Sequence, residues 1–112
     1  MPKLYPLRME PLFRRYPWGG RRLGTLLGKP IGEGPHFAES WEIVDHGEDQ
    51  SVVAAGELAG TSLHELLIMH SEALLGKHHP QTQFPLLYKF LDAQRTLSVQ
   101  VHPDDRMAAT LT

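Results

Sequence analysis

Short segments of this chain are apolar or alternate between apolar and polar positions, and turn residues separate them, which is the pattern of β-strands. Residues 4–15 are extended, but Pro6 and Pro11 interrupt them, so an edge strand or a bulged strand is predicted there. Further strands are predicted over residues 38–46, 51–58, 84–91 and 95–101. Turns are predicted at YPWGG (residues 16–20) and GEDQ (residues 47–50). The expected architecture is therefore mainly β.

Helical periodicity is clearest in TSLHELLIMHSEALLG, residues 61–76. Its apolar positions recur at intervals of three and four residues, so they share one face of a helix. Ser62 and Glu65 are spaced as a capping box, and Gly76 stands where a C-terminal cap is expected. Shorter helical pieces are predicted over residues 20–28 and from Pro103 onward.

The composition limits the classes of protein to which the chain can belong. Its 112 residues are enough for one small domain, and 41% of them are hydrophobic. The absence of cysteine excludes disulfides, thiolate metal sites and cysteine nucleophiles. No apolar run approaches the roughly 18 residues of a membrane span, and the N-terminus does not resemble a signal peptide. A cytoplasmic protein without a membrane partner is expected.

Basic side chains are concentrated near the N-terminus, although the net charge is −2. The basic residues of this segment are Lys3, Arg8, Arg14, Arg15, Arg21, Arg22 and Lys29. They can form a solvated basic rim, or they can create a positive field that attracts an anionic ligand. No nucleic-acid-binding motif accompanies them, so nucleic acid is not an expected partner.

The segment LSVQVH, residues 97–102, carries the most specific candidate chemistry. Side chains alternate across a strand, so Ser98, Gln100 and His102 share one face at intervals of about 7 Å. An imidazole nitrogen and an amide oxygen can both bind zinc or a similar ion. The same pattern is also typical of the solvent face of an antiparallel strand, and two ligands do not complete a zinc site.

Lys89 interrupts the apolar run LLYKFL of the preceding predicted strand. If the hairpin loop around Ala93 and Gln94 has an even number of residues, Lys89 pairs with Ser98 and shares its face. An odd loop would reverse that relation. A lysine among apolar residues needs a compensating partner, such as an anionic or hydroxylated ligand.

Other candidate motifs fail on their spacing. HELLIMH, residues 64–70, resembles the zinc-protease helix, but Ile68 occupies the position of the second histidine. The glycines of GKPIGEG lack the context of a phosphate-binding loop. Trp18 and Trp41 are by themselves more typical of a core than of a cofactor site.

FPLLYKFLDAQRTLSVQVHPDD, residues 84–105, resembles the metal-site segment of the type I phosphomannose isomerases, zinc enzymes of the cupin superfamily. YPWGG, AESWEIVDH, GTSLHELL and the LLG before FPLL follow in the order and approximate spacing of that family. The resemblance extends from about Leu4 to Asp105. It implies that residues 1–112 are the N-terminal portion of a cupin catalytic domain, an incomplete jelly-roll barrel.

The resemblance also implies site residues. Gln100 and His102 match two ligands of a catalytic Zn²⁺, and Lys89 and Ser98 match polar residues of the catalytic pocket. Trp18 and Glu39 match positions near the substrate. The family's remaining ligands, a glutamate and a second histidine, would lie after this chain, which is therefore expected to be a fragment that is inactive alone.

The implied reaction interconverts mannose 6-phosphate and fructose 6-phosphate through an enediol. The implied partner is a small sugar phosphate, while the general base and the oligomeric state are left open. Two alternatives remain at this stage: a cupin that binds sugar without catalysis, and a structural fragment that binds neither metal nor substrate. The sequence that follows residue 112 would discriminate between them.

Overall fold

The computed structural model describes residues 4–97. Seven strands and three helices lie in this range. The strands are β1 (Met9–Glu10), β2 (Leu12–Gly20), β3 (Phe37–Ile43), β4 (Asp45–His46), β5 (Asp49–Gln50), β6 (Val52–Val53) and β7 (Tyr88–Leu91). The helices are α1 (Arg22–Thr25), α2 (Leu63–Met69) and α3 (Ser71–Leu75), and a 3₁₀ turn follows at Gly76–His78.

The main sheet is antiparallel and has the strand order β2-β3-β7. Two smaller pairs, β1-β6 and the β4-β5 hairpin, complete the β structure of residues 4–97. Within these residues no sheet closes on itself. The expectation of a mainly β chain with short helices and an incomplete barrel is confirmed.

The prediction of a turn at residues 16–20 is wrong, because this segment belongs to β2. Arg15 and Gly20 both pair with Phe37, so the residues between them form a bulge in the strand. A Cβ on Gly19 would lie 2.5 Å from the Cα of Ala38, and one on Gly20 would lie 2.2 Å from the Gln94 side chain. The two glycines therefore permit a close approach of chain segments rather than a reversal.

The single helix predicted over residues 61–76 is divided in two. The backbone at His70 has φ −131° and ψ 38°, which ends α2 and precedes α3. The amide of Glu65 donates to Ser62 Oγ at 3.2 Å, which confirms the N-cap, and the reciprocal bond is not formed among the described residues. The apolar residues keep the same spacing across this break, so the sequence pattern does not show where the helix is interrupted.

Apolar side chains are buried in two groups. Leu23, Ile31 and Phe37 form one cluster, with Phe13 packed against it. The other buried apolar residues from β3 onward are Ala38, Val44, Val53, Leu63, Leu66 and Leu67, and three of them are supplied by α2. The strand predicted over residues 84–91 is formed only from Tyr88, and all four residues of β7 are exposed. β7 therefore leaves apolar surface uncovered by residues 4–97.

Arg15 and Arg21 form hydrogen bonds to the loop that leads into β3. Arg15 donates from Nη2 and Nε to the carbonyl of Pro35, at 2.8 and 3.2 Å. Arg21 donates to the carbonyls of Gly32 and Gly34. Both guanidinium groups also lie over the ring of Phe37. These two basic residues thus have internal acceptors, in addition to any effect of their charge on an anion.

No helix within residues 4–97 has both the length and the apolar character needed to cross a membrane.

Candidate functional site

A carboxylate and an ammonium group meet on one face of the main sheet. Trp41 pairs with Lys89 across β3 and β7, and Glu39 pairs with Leu91 two residues away, so their side chains share one face. Lys89 Nζ lies 3.3 Å from Glu39 Oε1. The Glu39 side chain is only 10% exposed, whereas that of Lys89 is 34% exposed. Burial of the carboxylate is compensated by this ammonium group.

Trp41 supplies the second partner of the Glu39 carboxylate. Its indole Nε1–H donates to Glu39 Oε1 at 2.7 Å, the same oxygen that receives the Lys89 ammonium. Among residues 4–97, Glu39 Oε2 accepts no hydrogen bond. Within residues 4–97, Glu39 is thus held through one oxygen.

Arg14 packs on the same indole from β2. Its guanidinium carbon lies 4.5 Å from the centroid of the Trp41 ring, a cation–π contact. Lys89 Nζ lies 5.7 Å from the same centroid. Arg14 also forms an ion pair with Asp49 of β5. We refer to Arg14, Glu39, Trp41, Asp49 and Lys89 as the sheet-face network.

Trp18 packs against a neighbouring residue of β2. Its ring stacks on that of Tyr16, with centroids 5.8 Å apart and planes at 19°. Its carbonyl accepts the amide of Gln94 at 2.8 Å. Within residues 4–97, no hydrogen bond, ion pair or aromatic contact joins Trp18 to Glu39 or Lys89. The structure therefore brings together two of the three described site candidates.

The other predicted site residues, Ser98, Gln100 and His102, lie outside the described residues. The expected common face of Lys89 and these three side chains consequently remains a prediction. Within residues 4–97, no three histidine, aspartate or glutamate side chains are grouped so that they could hold a metal ion.

Asp45 is a buried polar centre that sequence reasoning missed. Its Oδ1 accepts from Gln50 Nε2 at 2.7 Å, and its Oδ2 accepts from the amide of Phe84 at 2.9 Å. His64 Nδ1 lies 3.1 Å from the same Oδ2, and the Asp45 carbonyl accepts from Gln83 Nε2 at 2.7 Å. One aspartate thus joins β4, β5, α2 and the segment before β7.

The environment of Asp45 favours its charged form. Burial alone would raise the pKa of this carboxyl, but the hydrogen bonds from Gln50, Phe84 and His64, with the charge of His64, hold the pKa below its ordinary value of 3.8. A cleft of about 530 Å³ adjoins it, lined by polar residues that include Ser62, His64 and Gln83. The only sequence signal was His64, noted in a motif that fails.

Comparison with known proteins bears on the whole chain. Residues 6–112 match the family described as phosphomannose isomerase type I, catalytic domain. The chain is 41% identical over 103 residues to mannose-6-phosphate isomerase ManA of Bacillus subtilis, covering 92% of this chain and 31% of that protein. It is likewise 41% identical over 103 residues to mannose-6-phosphate isomerase of Streptococcus mutans, covering 92% of this chain and 32% of that one.

A solved structure agrees with this assignment. The crystal structure of the mannose 6-phosphate isomerase from Bacillus subtilis is similar with a TM-score of 0.85 and 36% identity. The similarity covers 96% of this chain and 33% of that chain. The chain thus spans about a third of the length of the relatives that it matches, and its open sheets correspond to an incomplete cupin barrel. By sequence and by fold, this chain belongs to the type I phosphomannose isomerase family.

Proposed function

We propose that this chain is the N-terminal segment of a full-length mannose-6-phosphate isomerase, called the full-length isomerase below. The reaction interconverts mannose 6-phosphate and fructose 6-phosphate through an enediol. The family match over residues 6–112 and the printed activity of the relatives support this assignment. The metal dependence, the sugar-phosphate partner and the cytoplasmic location are parts of the same proposal.

The observation that carries the proposal is the contact between Lys89 and Glu39, at 3.3 Å on one face of the sheet. Both residues occupy positions that the family resemblance assigns to the pocket. Enediol formation develops negative charge on a sugar oxygen, and an ammonium group directed at that oxygen stabilises it. We assign this role to Lys89, with Ser98 as a neighbouring hydroxyl. We assign to Glu39 Oε2 the role of accepting a hydrogen bond from the sugar, and to Trp18 a place in the pocket wall.

Gln100 and His102 would hold the metal, for which Zn²⁺ is proposed. When bound, Zn²⁺ supplies a Lewis acid that polarises the sugar oxygens. A glutamate and a second histidine from the remainder of the full-length isomerase would complete the ligand set. His102 is a poor candidate for the general base, because its ligating lone pair is not available to accept a proton.

The test is an isomerase assay of the full-length isomerase with mannose 6-phosphate. We expect a chelator to abolish formation of fructose 6-phosphate and added Zn²⁺ to restore it. His102→Ala should lose metal content and activity together. His79→Ala, in an exposed loop, is the matched control and should retain both. A folded, metal-loaded protein without activity on mannose 6-phosphate would contradict the proposal.

Residues 1–112 alone should bind zinc weakly. Gln100 and His102 are two neutral ligands, and they lack the carboxylate and second imidazole that close the proposed site. Calorimetric titration of the isolated chain with Zn²⁺ measures this directly. Tight binding at a one-to-one ratio would show that the proposed ligand set is wrong.

A further inference from the structure

We propose that Trp41 is a positioning residue of the isomerase site, which fixes the Glu39 carboxylate through its indole N–H. This inference rests on the proposed function and extends it to a residue that sequence analysis treated as core. Trp41 itself is not expected to touch the substrate. It acts through Glu39, whose Oε1 it holds at 2.7 Å.

The two donors to Glu39 Oε1 differ in rigidity. Lys89 reaches it at 3.3 Å with a flexible four-carbon chain that is 34% exposed. Trp41 reaches it at 2.7 Å with a planar ring on the same strand as Glu39. An indole has few rotatable bonds, and the shorter bond is the stronger restraint. Trp41 therefore determines the orientation of the Glu39 carboxylate, and the Lys89 ammonium group adjusts its position to that carboxylate.

The indole is itself held in place from a neighbouring strand. The Arg14 guanidinium lies 4.5 Å from its ring centroid, and Asp49 of β5 pairs with that guanidinium. Contacts thus run from Asp49 through Arg14 and Trp41 to Glu39 and Lys89. Among residues 4–97, Oε1 receives both of these donors and Oε2 receives none. A fixed carboxylate with one free oxygen is what a site needs to orient a sugar hydroxyl.

If Trp41 had only a structural role, its substitution would affect catalysis differently. Trp41 is half-buried and is not among the fully buried residues of either apolar group. Trp41→Phe keeps a ring beneath Arg14 and removes the N–H. A residue that only filled space would tolerate this change in catalysis, whereas a positioning residue would not.

The first experiment measures kinetics of Trp41→Phe in the full-length isomerase. We expect kcat to fall about tenfold, since one hydrogen bond to a charged group is lost, while KM changes less than about twofold. Tyr88→Phe removes a polar group from an exposed aromatic residue of β7, and it should leave both constants unchanged. Unchanged kcat in a folded Trp41→Phe variant would overturn the inference.

A double-mutant cycle tests whether Trp41 acts through Glu39. Glu39→Gln should slow the reaction by itself. If Trp41 works only by positioning the carboxylate, Trp41→Phe should cost little further activity in the Glu39→Gln background. Fully additive losses would show that Trp41 acts independently of Glu39. If Trp41→Phe does not fold, Arg14→Met provides the same cycle, with an expected loss of about threefold that also disappears with Glu39→Gln.

The indole N–H resonance gives a readout that does not depend on activity. In ¹⁵N-labelled protein, the resonance lost in Trp41→Phe identifies it. We expect slow exchange with solvent and a shift in Glu39→Gln, with no shift in Tyr88→Phe. Rapid exchange would overturn the inference. An inactive wild type with a protected, Glu39-dependent resonance would instead reject the proposed isomerase function and, with it, the catalytic role of this contact.

Discussion

Glu39 and Asp45 are both buried carboxylates, with residue exposures of 8% and 5%, but their surroundings differ. Both oxygens of Asp45 accept hydrogen bonds, from donors in three separate segments. Glu39 receives its two described donors at one oxygen. Asp45 is therefore bound at both oxygens, whereas Glu39 is bound at one among residues 4–97.

The difference separates a stabilising carboxylate from a candidate functional one. Loss of a carboxylate that is bound at both oxygens leaves several donors without partners, which is costly for folding. Loss of the charge at Glu39 leaves an indole N–H and a partly exposed lysine, for which solvent compensates more easily. Variants at Asp45 should therefore change stability most, and variants of the sheet-face network should change catalysis most.

The largest expected effect on stability is that of Asp45→Ala. It removes the acceptor of Gln50 and Phe84 and the partner of His64, so the free energy of unfolding should fall by about 3 kcal/mol. Urea unfolding of the full-length isomerase measures the loss, and exposed Glu48→Ala is the control with little effect. A loss below about 1 kcal/mol would mean that water replaces the lost acceptor, and the contrast with Glu39 would fail.

Lys89→Met should show the opposite behaviour. Turnover should fall about 100-fold, equivalent to ~2.7 kcal/mol of transition-state stabilisation, while metal content changes little and the loss of stability is smaller than that of Asp45→Ala, because Glu39 keeps its Trp41 donor. Steady-state kinetics and metal analysis provide the measurement, with exposed Lys77→Met as the control. Equal losses of stability and turnover would indicate that Lys89 is a structural partner of Glu39 and no more.

The pH dependence of stability isolates the charge of Asp45. Its pKa is below 3.8 in the folded state, so its stabilising contribution is present above that pH and is lost as the pH falls through the folded value. The stability difference between wild type and Asp45→Asn should thus be constant near neutrality and shrink in acid. Unfolding midpoints between about pH 7 and pH 2 test this. A stability difference that grows in acid would contradict the stabilising effect assigned to the Asp45 charge.

The smallest effects concern two serines at the starts of adjacent helices. Ser62 Oγ accepts the amide of Glu65, so Ser62→Ala should cost about 1 kcal/mol. Ser71 Oγ is buried and has no partner among the described residues, so Ser71→Ala should be neutral or stabilising. Thermal unfolding of the two variants compares the same chemical change in two settings. Equal destabilisation by both would show that the Ser71 hydroxyl has a partner after all.

Local sequence patterns were sufficient to predict much of the fold and part of the candidate site. The compact apolar centre of residues 38–46 predicted a strand where β3 lies, and the Ser62 cap placed the start of α2 correctly. The family resemblance selected Glu39 and Lys89, which the structure joins. The resemblance selected Trp18 as well, but within residues 4–97 no hydrogen bond, ion pair or aromatic contact joins Trp18 to that pair. No local pattern indicated the bulge of β2, because it depends on how closely β3 and Gln94 approach Gly19 and Gly20.

Sequence by itself determined the β-rich class of this protein, its missing cysteine chemistry and its family, because these depend on composition, short periodicities and motif order. Tertiary structure alone decided which polar side chains meet. Asp45 and His64 are 19 positions apart, and Glu39 and Lys89 are 50 apart. Such contacts depend on strand register and on the packing of α2, which bring distant segments together. Whether a buried carboxylate keeps an oxygen free for a ligand is therefore a property of the folded chain.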